Sequence, residues 1–119
     1  MSLRDGWAEM SIRLKGSELD LLEVPRGLQS AGELNKHRTA LIIKIGVGRE
    51  ASLQTLLMEV QQFLEDNRDM FDRLPHGCSV DVFVGWSPRA SQESATLSVN
   101  LLRVLAQISA EMVFDTYGD

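Results

Sequence analysis

The chain has 119 residues, 44% of them hydrophobic and 24% charged, which is one ordinary globular domain by length with apolar material for a single core. Seventeen acidic against twelve basic residues leave a formal charge of −5, the wrong sign for a protein that holds nucleic acid by neutralising phosphates. No apolar run approaches the length of a membrane span, no segment has the build of a secretory signal, and a lone Cys78 excludes an internal disulfide framework. These features predict one domain over residues 1–119, cytoplasmic and without a membrane or nucleic-acid partner, in which Met1-Ser2-Leu3 is an expression remnant without structural weight.

Taken in chain order, WAEMSIRLKG alternates: Ala8, Met10, Ile12 and Leu14 face one way, and Glu9, Ser11, Arg13 and Lys15 the other. Period two predicts a half-buried strand. Gly16 breaks it, and Ser17 is placed to cap a short helix through Leu19 and Leu22. Val24-Pro25-Arg26-Gly27 ends that helix, and residues 28–38 read as a loop or a short ragged helix. TALIIKIG is a second strand, apolar on both faces and therefore central.

From Ser52 onward Leu53, Leu56, Leu57, Val60, Leu64, Phe71 and Leu74 recur at steps of three and four, with larger gaps toward the end, one apolar stripe on a long helix that breaks near Asp66-Asn67. SVDVFVGW is a third strand, with Val80, Val82 and Val84 inward and Ser79, Asp81 and Phe83 outward. Ser98 then caps a helix bearing Leu101, Leu102, Val104, Leu105 and Ile108, and AEMVFDTY closes the chain as a fourth strand. Strand, serine-initiated helix and strand thus occur twice. The expected fold is an α+β two-layer sandwich, a sheet of about four strands with helices on one face, arranged as a pseudo-duplicated β-α-β.

Chemistry-bearing motifs are sparse. GVGREA, Gly46 to Ala51, has the spacing of a dinucleotide fingerprint, but the next strand ends in Val84-Gly85-Trp86 without the acid that would hold a ribose. It reads better as a strand-to-helix turn. His37 and His76 have no ligand partners at a metal-binding interval, and Cys78 reads as a small buried residue. No catalytic residue, metal site or cofactor is predicted. Asp81 and Asp115 lie outward on their strands and would raise one another's pKa if adjacent; the plainer reading is a charged open face with Arg13 or Lys44 as partners.

The acidic stretch says more. Glu65, Asp66, Asp69 and Asp72 follow one another with Arg68 as the single base among them, either a solvated helix face or a surface for a basic partner. Phe83, Trp86 and Tyr117 are candidate aromatic anchors on the outer sheet face, although Trp86 is equally placed to fold over the strand end.

SVDVFVGWSPRASQESATLSVNLLRVLAQISAEMVFDTY resembles a family of small uncharacterised bacterial domains, formally a domain of unknown function. The likeness lies in a strand ending Gly85-Trp86, a polar loop, the helix begun by Leu97-Ser98 with Leu101 and Leu102, and a closing strand with Phe114, Asp115 and Tyr117. It covers about a third of the chain and departs around the second strand, where the family's proline-threonine pair and tryptophan are missing. Some relatives look like immunity proteins of bacterial toxin systems. The resemblance therefore implies a non-catalytic protein-binding domain, an immunity protein blocking a basic cognate toxin through Glu65, Asp66, Asp69 and Asp72. The alternative expectation is a small-molecule or regulatory domain with a groove near Asp81, Trp86 and Asp115.

Overall fold

Alternation is realised in full in the first strand. In the computed structural model, which describes residues 7–48, 52–87 and 94–116, β1 (Trp7–Lys15) buries Ala8, Met10, Ile12 and Leu14 and turns Glu9, Ser11 and Arg13 to the opposite face. After Gly16, the Ser17 hydroxyl accepts the Asp20 N–H at 3.1 Å and starts α1 (Glu18–Leu22). The inward residue of α1 is Leu21, 3% exposed, whereas Leu19 at 76% and Leu22 at 61% lie in solvent. A five-residue helix offers one buried position, and the turn geometry assigns it to Leu21.

Pro25 does end α1, yet a second helix follows at once, α2 (Arg26–Ala31), because proline is well suited to the start of a helix. Its Leu28 is fully buried. The chain then adds β2 (Glu33–Leu34), a two-residue strand where a loop or a short ragged helix was expected, and β3 (Ala40–Gly48). The long stripe forms α3 (Leu53–Asp66), capped by Ser52, and α4 (Arg68–Asp72), with the break at Asn67. β4 (Ser79–Ser87), α5 (Val99–Gln107) and β5 (Glu111–Thr116) complete the described chain.

Among the described residues the sheet has five strands in the order β2-β3-β1-β4-β5. β1 sits at its centre, antiparallel to both β3 and β4, while β4 and β5 are parallel. Leu21, Leu28, Phe71, the α3 stripe and Leu101, Val104 and Leu105 of α5 join Met10, Ile12, Ile43, Val82 and Val84 in one core. The architecture is therefore an α+β two-layer sandwich with its helices on one sheet face. The two β-α-β segments are not equivalent: the first returns antiparallel beside its own starting strand, and only β4-α5-β5 is a parallel crossover. The shared serine-leucine helix starts reflect similar capping, not similar topology.

Candidate functional site

Among the described residues the helices cover one face of the sheet and leave the other open, and the strand register decides what meets there. Arg13 of β1 lies directly opposite Asp81 of β4. Its Nε and Nη2 donate to Asp81 Oδ1 and Oδ2 at 2.6 and 2.9 Å, and Lys15 Nζ reaches Oδ2 at 3.0 Å. The guanidinium also stacks over the Phe83 ring, 4.8 Å from its centroid. Burial alone would push the Asp81 carboxyl up; the hydrogen bonds and charges of Arg13 and Lys15 outweigh it and hold the group below the ordinary carboxylate range. This cluster satisfies itself, which makes Asp81 an ion-pair anchor.

The suspected carboxylate pair is not assembled. Asp81 stands opposite Glu111 and Asp115 opposite Gly85. Four residues separate the two levels, about 13 Å along the strand. Trp86 shares the face of Val84 and packs against the core under the helices, so it is not an anchor on the outer face. Phe83 does occupy the open face, half-buried. Tyr117 lies outside the described residues, as do Arg49 to Ala51 of the glycine motif. Trp86 therefore lies on the sheet face opposite Asp81 and Asp115, so the three do not line one groove; hollows among the described residues lie on the β3 side of the sheet.

Two hollows of about 390 and 270 Å³ adjoin there, sharing Ile42 and Lys44. The first is walled by the segment from Ser30 to Asn35, the second by Glu9, Ser11, Val47 and Phe83. Two local features open them. β2 pairs only with Leu41 and Ile42, leaving no described strand on the outer edge of the rest of β3. A bulge between β1 and β3 then inserts Ile45, since Ser11 pairs with Lys44 but Met10 with Gly46. The Glu9 side chain meanwhile lies across β4 at Gly85, where a Cβ would come within 2.9 Å of its Cγ. Gly85 is thus an in-strand clearance for Glu9, and the strand runs on to Ser87.

On the helical layer Glu65, Asp66, Asp69 and Asp72 are all exposed. Gln61 Nε2 donates to Glu65 Oε1 at 3.0 Å and Gln62 Nε2 to Asp66 Oδ1 at 2.7 Å, one turn earlier in each case. Arg103 of α5 joins Arg68 and Glu65 around a hollow of about 260 Å³, a basic neighbour that linear sequence does not show. α3 and α5 are tied further by Ser98, whose hydroxyl donates to Gln61 Oε1 at 2.7 Å.

Cys78 is half-buried, and its thiol is pushed up by burial and then by the Asp20 charge. That environment makes it a poor nucleophile. His76 is exposed in the preceding turn. Among the described residues no group of three His, Cys, Asp or Glu side chains is placed to hold a metal, and no helix is long and apolar enough to cross a membrane. Comparisons of the chain with protein-family models, with curated proteins and with solved structures find no match.

The hollows around Lys44 escaped sequence reasoning. Gly46 and Gly48 inside a strand were the available signal, because interior glycines mark bulges and close approaches.

Proposed function

We propose that the chain is a non-catalytic protein-binding domain, and most concretely a cytoplasmic immunity protein that blocks a basic bacterial toxin. The observation that carries this reading is the carboxylate ridge. Glu65, Asp66, Asp69 and Asp72 project into solvent from the last turn of α3 through α4, on helices anchored beneath by buried Leu64 and Phe71. A ridge with four carboxylates against Arg68 and the neighbouring Arg103, on a protein of charge −5, accelerates encounter with a basic surface and disfavours acidic ones. Inhibition follows by occlusion: the ridge covers the toxin's active site, and no bond is made or broken. The resemblance to a family with immunity-like members is consistent with it.

The test is capture with tagged full-length protein from the source bacterium at low and high salt, followed by neutralisation of the captured partner's toxicity on co-expression. One basic, stoichiometric partner released by salt and neutralised by the chain supports the reading. Reversal of all four carboxylates to lysine abolishes capture if the ridge is the interface. Unaltered capture removes the ridge from the proposal, and a captured protein without toxicity removes the immunity function.

A further inference from the structure

We propose that the open sheet face carries a second, independent site, a shallow groove centred on Lys44 that binds a small amphipathic monocarboxylate. The anionic head sits on the Lys44 ammonium, and the apolar body lies along Ile42, Val47 and Phe83.

Four observations lead there. The adjoining hollows, about 390 and 270 Å³, are of ligand size and meet at Ile42 and Lys44, so one cation stands between two cavities. Lys44 is exposed and its ammonium makes no ion pair or hydrogen bond with a described residue, whereas Arg13 and Lys15 on the same face are both engaged by Asp81. Apolar surface lies within the second hollow: Val47 is 61% exposed, and Phe83 offers its ring beside the stacked guanidinium. Finally, Glu9 lines the second hollow too, but its side chain lies across β4 at Gly85, and it makes no ion pair with Lys44.

The local chemistry selects the class. A charge-assisted contact to an ammonium favours a carboxylate head over a neutral one. Glu33 lines the first hollow and is exposed, so a second negative group reaching that way meets repulsion, which favours a monocarboxylate over a dicarboxylate. The site owes its existence to a bulge and a truncated edge strand, both devices that re-aim side chains out of regular pairing. It lies on the sheet face opposite the helices that bear the carboxylate ridge, and it stands or falls separately.

The experiment is an amide chemical-shift titration of the full chain with sodium octanoate below its micellar concentration, with octyl glucoside and octanedioate as comparisons. Saturable shifts confined to residues 9–11, 42–47 and 83 are expected. Octyl glucoside and octanedioate bind about tenfold more weakly, and Lys44→Met weakens octanoate by about the same factor, the loss of one charge-assisted contact. Lys44→Arg retains binding, and reversal of the four ridge carboxylates leaves it intact. Lys44 is exposed, so an unchanged melting temperature verifies the fold of Lys44→Met. Absence of saturable shifts, shifts elsewhere, equal affinity for octyl glucoside, or wild-type titration of Lys44→Met each overturns the site. The glucoside comparison uses the unaltered protein and decides even if a variant misfolds.

Discussion

Arg13 and Asp81 hold directly opposed positions on β1 and β4, and the guanidinium forks onto the carboxylate through contacts of 2.6 and 2.9 Å. Side-chain exposures of 25% and 11% place the pair between surface and interior. Asp81→Asn leaves Arg13 and Lys15 facing one another without their shared anion. The expected loss is about 1–3 kcal/mol, larger than for a surface pair and smaller than for a fully buried one. Urea unfolding of the variant measures it, and an unchanged midpoint contradicts it.

The same contact sets an acid dependence. The folded Asp81 pKa lies below its unfolded value, so the stabilisation is fully present above the ordinary carboxylate range. As pH falls below that range the unfolded chain takes up the proton first, and the stabilisation is lost until the folded group also protonates. The stability difference between wild type and Asp81→Asn therefore shrinks through this acid window and is constant near neutrality. Unfolding curves at several pH values give the profile, and a difference that grows on acidification contradicts the assignment.

α5 ends in a Schellman arrangement. Ala110 N–H donates to Leu105 O at 2.8 Å and Ser109 N–H to Ala106 O at 3.1 Å, with Ser109 at φ 55°. A serine in the left-handed region is strained where glycine is at ease. Ser109→Gly is expected to stabilise the protein by about 0.5–1 kcal/mol, the relief being partly offset by the added freedom of the unfolded chain. A lower melting temperature contradicts this account of the turn.

Ser98 does two things at once. Its hydroxyl accepts Leu101 N–H at 3.0 Å as the cap of α5 and donates to Gln61 Oε1 at 2.7 Å on α3. Ser98→Ala should cost about 1–2 kcal/mol, the range of a lost cap with a second contact. Gln61→Ala costs less, and the double variant falls short of the sum because both single changes remove the same α3–α5 bond. Strict additivity in a double-mutant cycle contradicts the coupling.

Cys78 should alkylate slowly at neutral pH. Its thiol is raised first by burial and second by Asp20, whose carboxylate lies against Gly77. The pH-rate profile of iodoacetamide labelling gives an apparent pKa above that of an exposed cysteine. Asp20→Asn lowers it part of the way, since burial remains. An unmoved profile removes Asp20 as a cause.

How legible all this was depended on whether the cause was local. β1, the α3 stripe and the inward valines of β4 could be read because side-chain direction along a strand or helix follows from backbone period alone. α2 was legible only as one of two alternatives, a loop or a short ragged helix, and β2 not at all. A six-residue helix and a two-residue strand have too few positions to show a period, and they exist because Leu28 finds the core and β2 finds the edge of β3.

The candidate sites divide in the same way. Exposure of Glu65, Asp66, Asp69 and Asp72 followed from their place opposite the apolar stripe, but the approach of Arg103 required α5 to pack beside α3. Asp81 was legible as an outward carboxylate; only the register gave it Arg13 and placed it four residues from the level of Asp115.

Sequence by itself determined which residues are inward along β1, α3 and β4, which helices start at a serine, and the excess of negative charge, since each depends on near neighbours or on a sum over the chain. Tertiary structure decided that β3 returns antiparallel to β1, that Glu9 lies across Gly85, and that the Lys44 ammonium, unpaired among the described residues, stands between two hollows. Those outcomes depend on register, a bulge and the length of a neighbouring strand. They arise when distant segments meet, so the physical interactions that set them are absent from any short stretch of the chain.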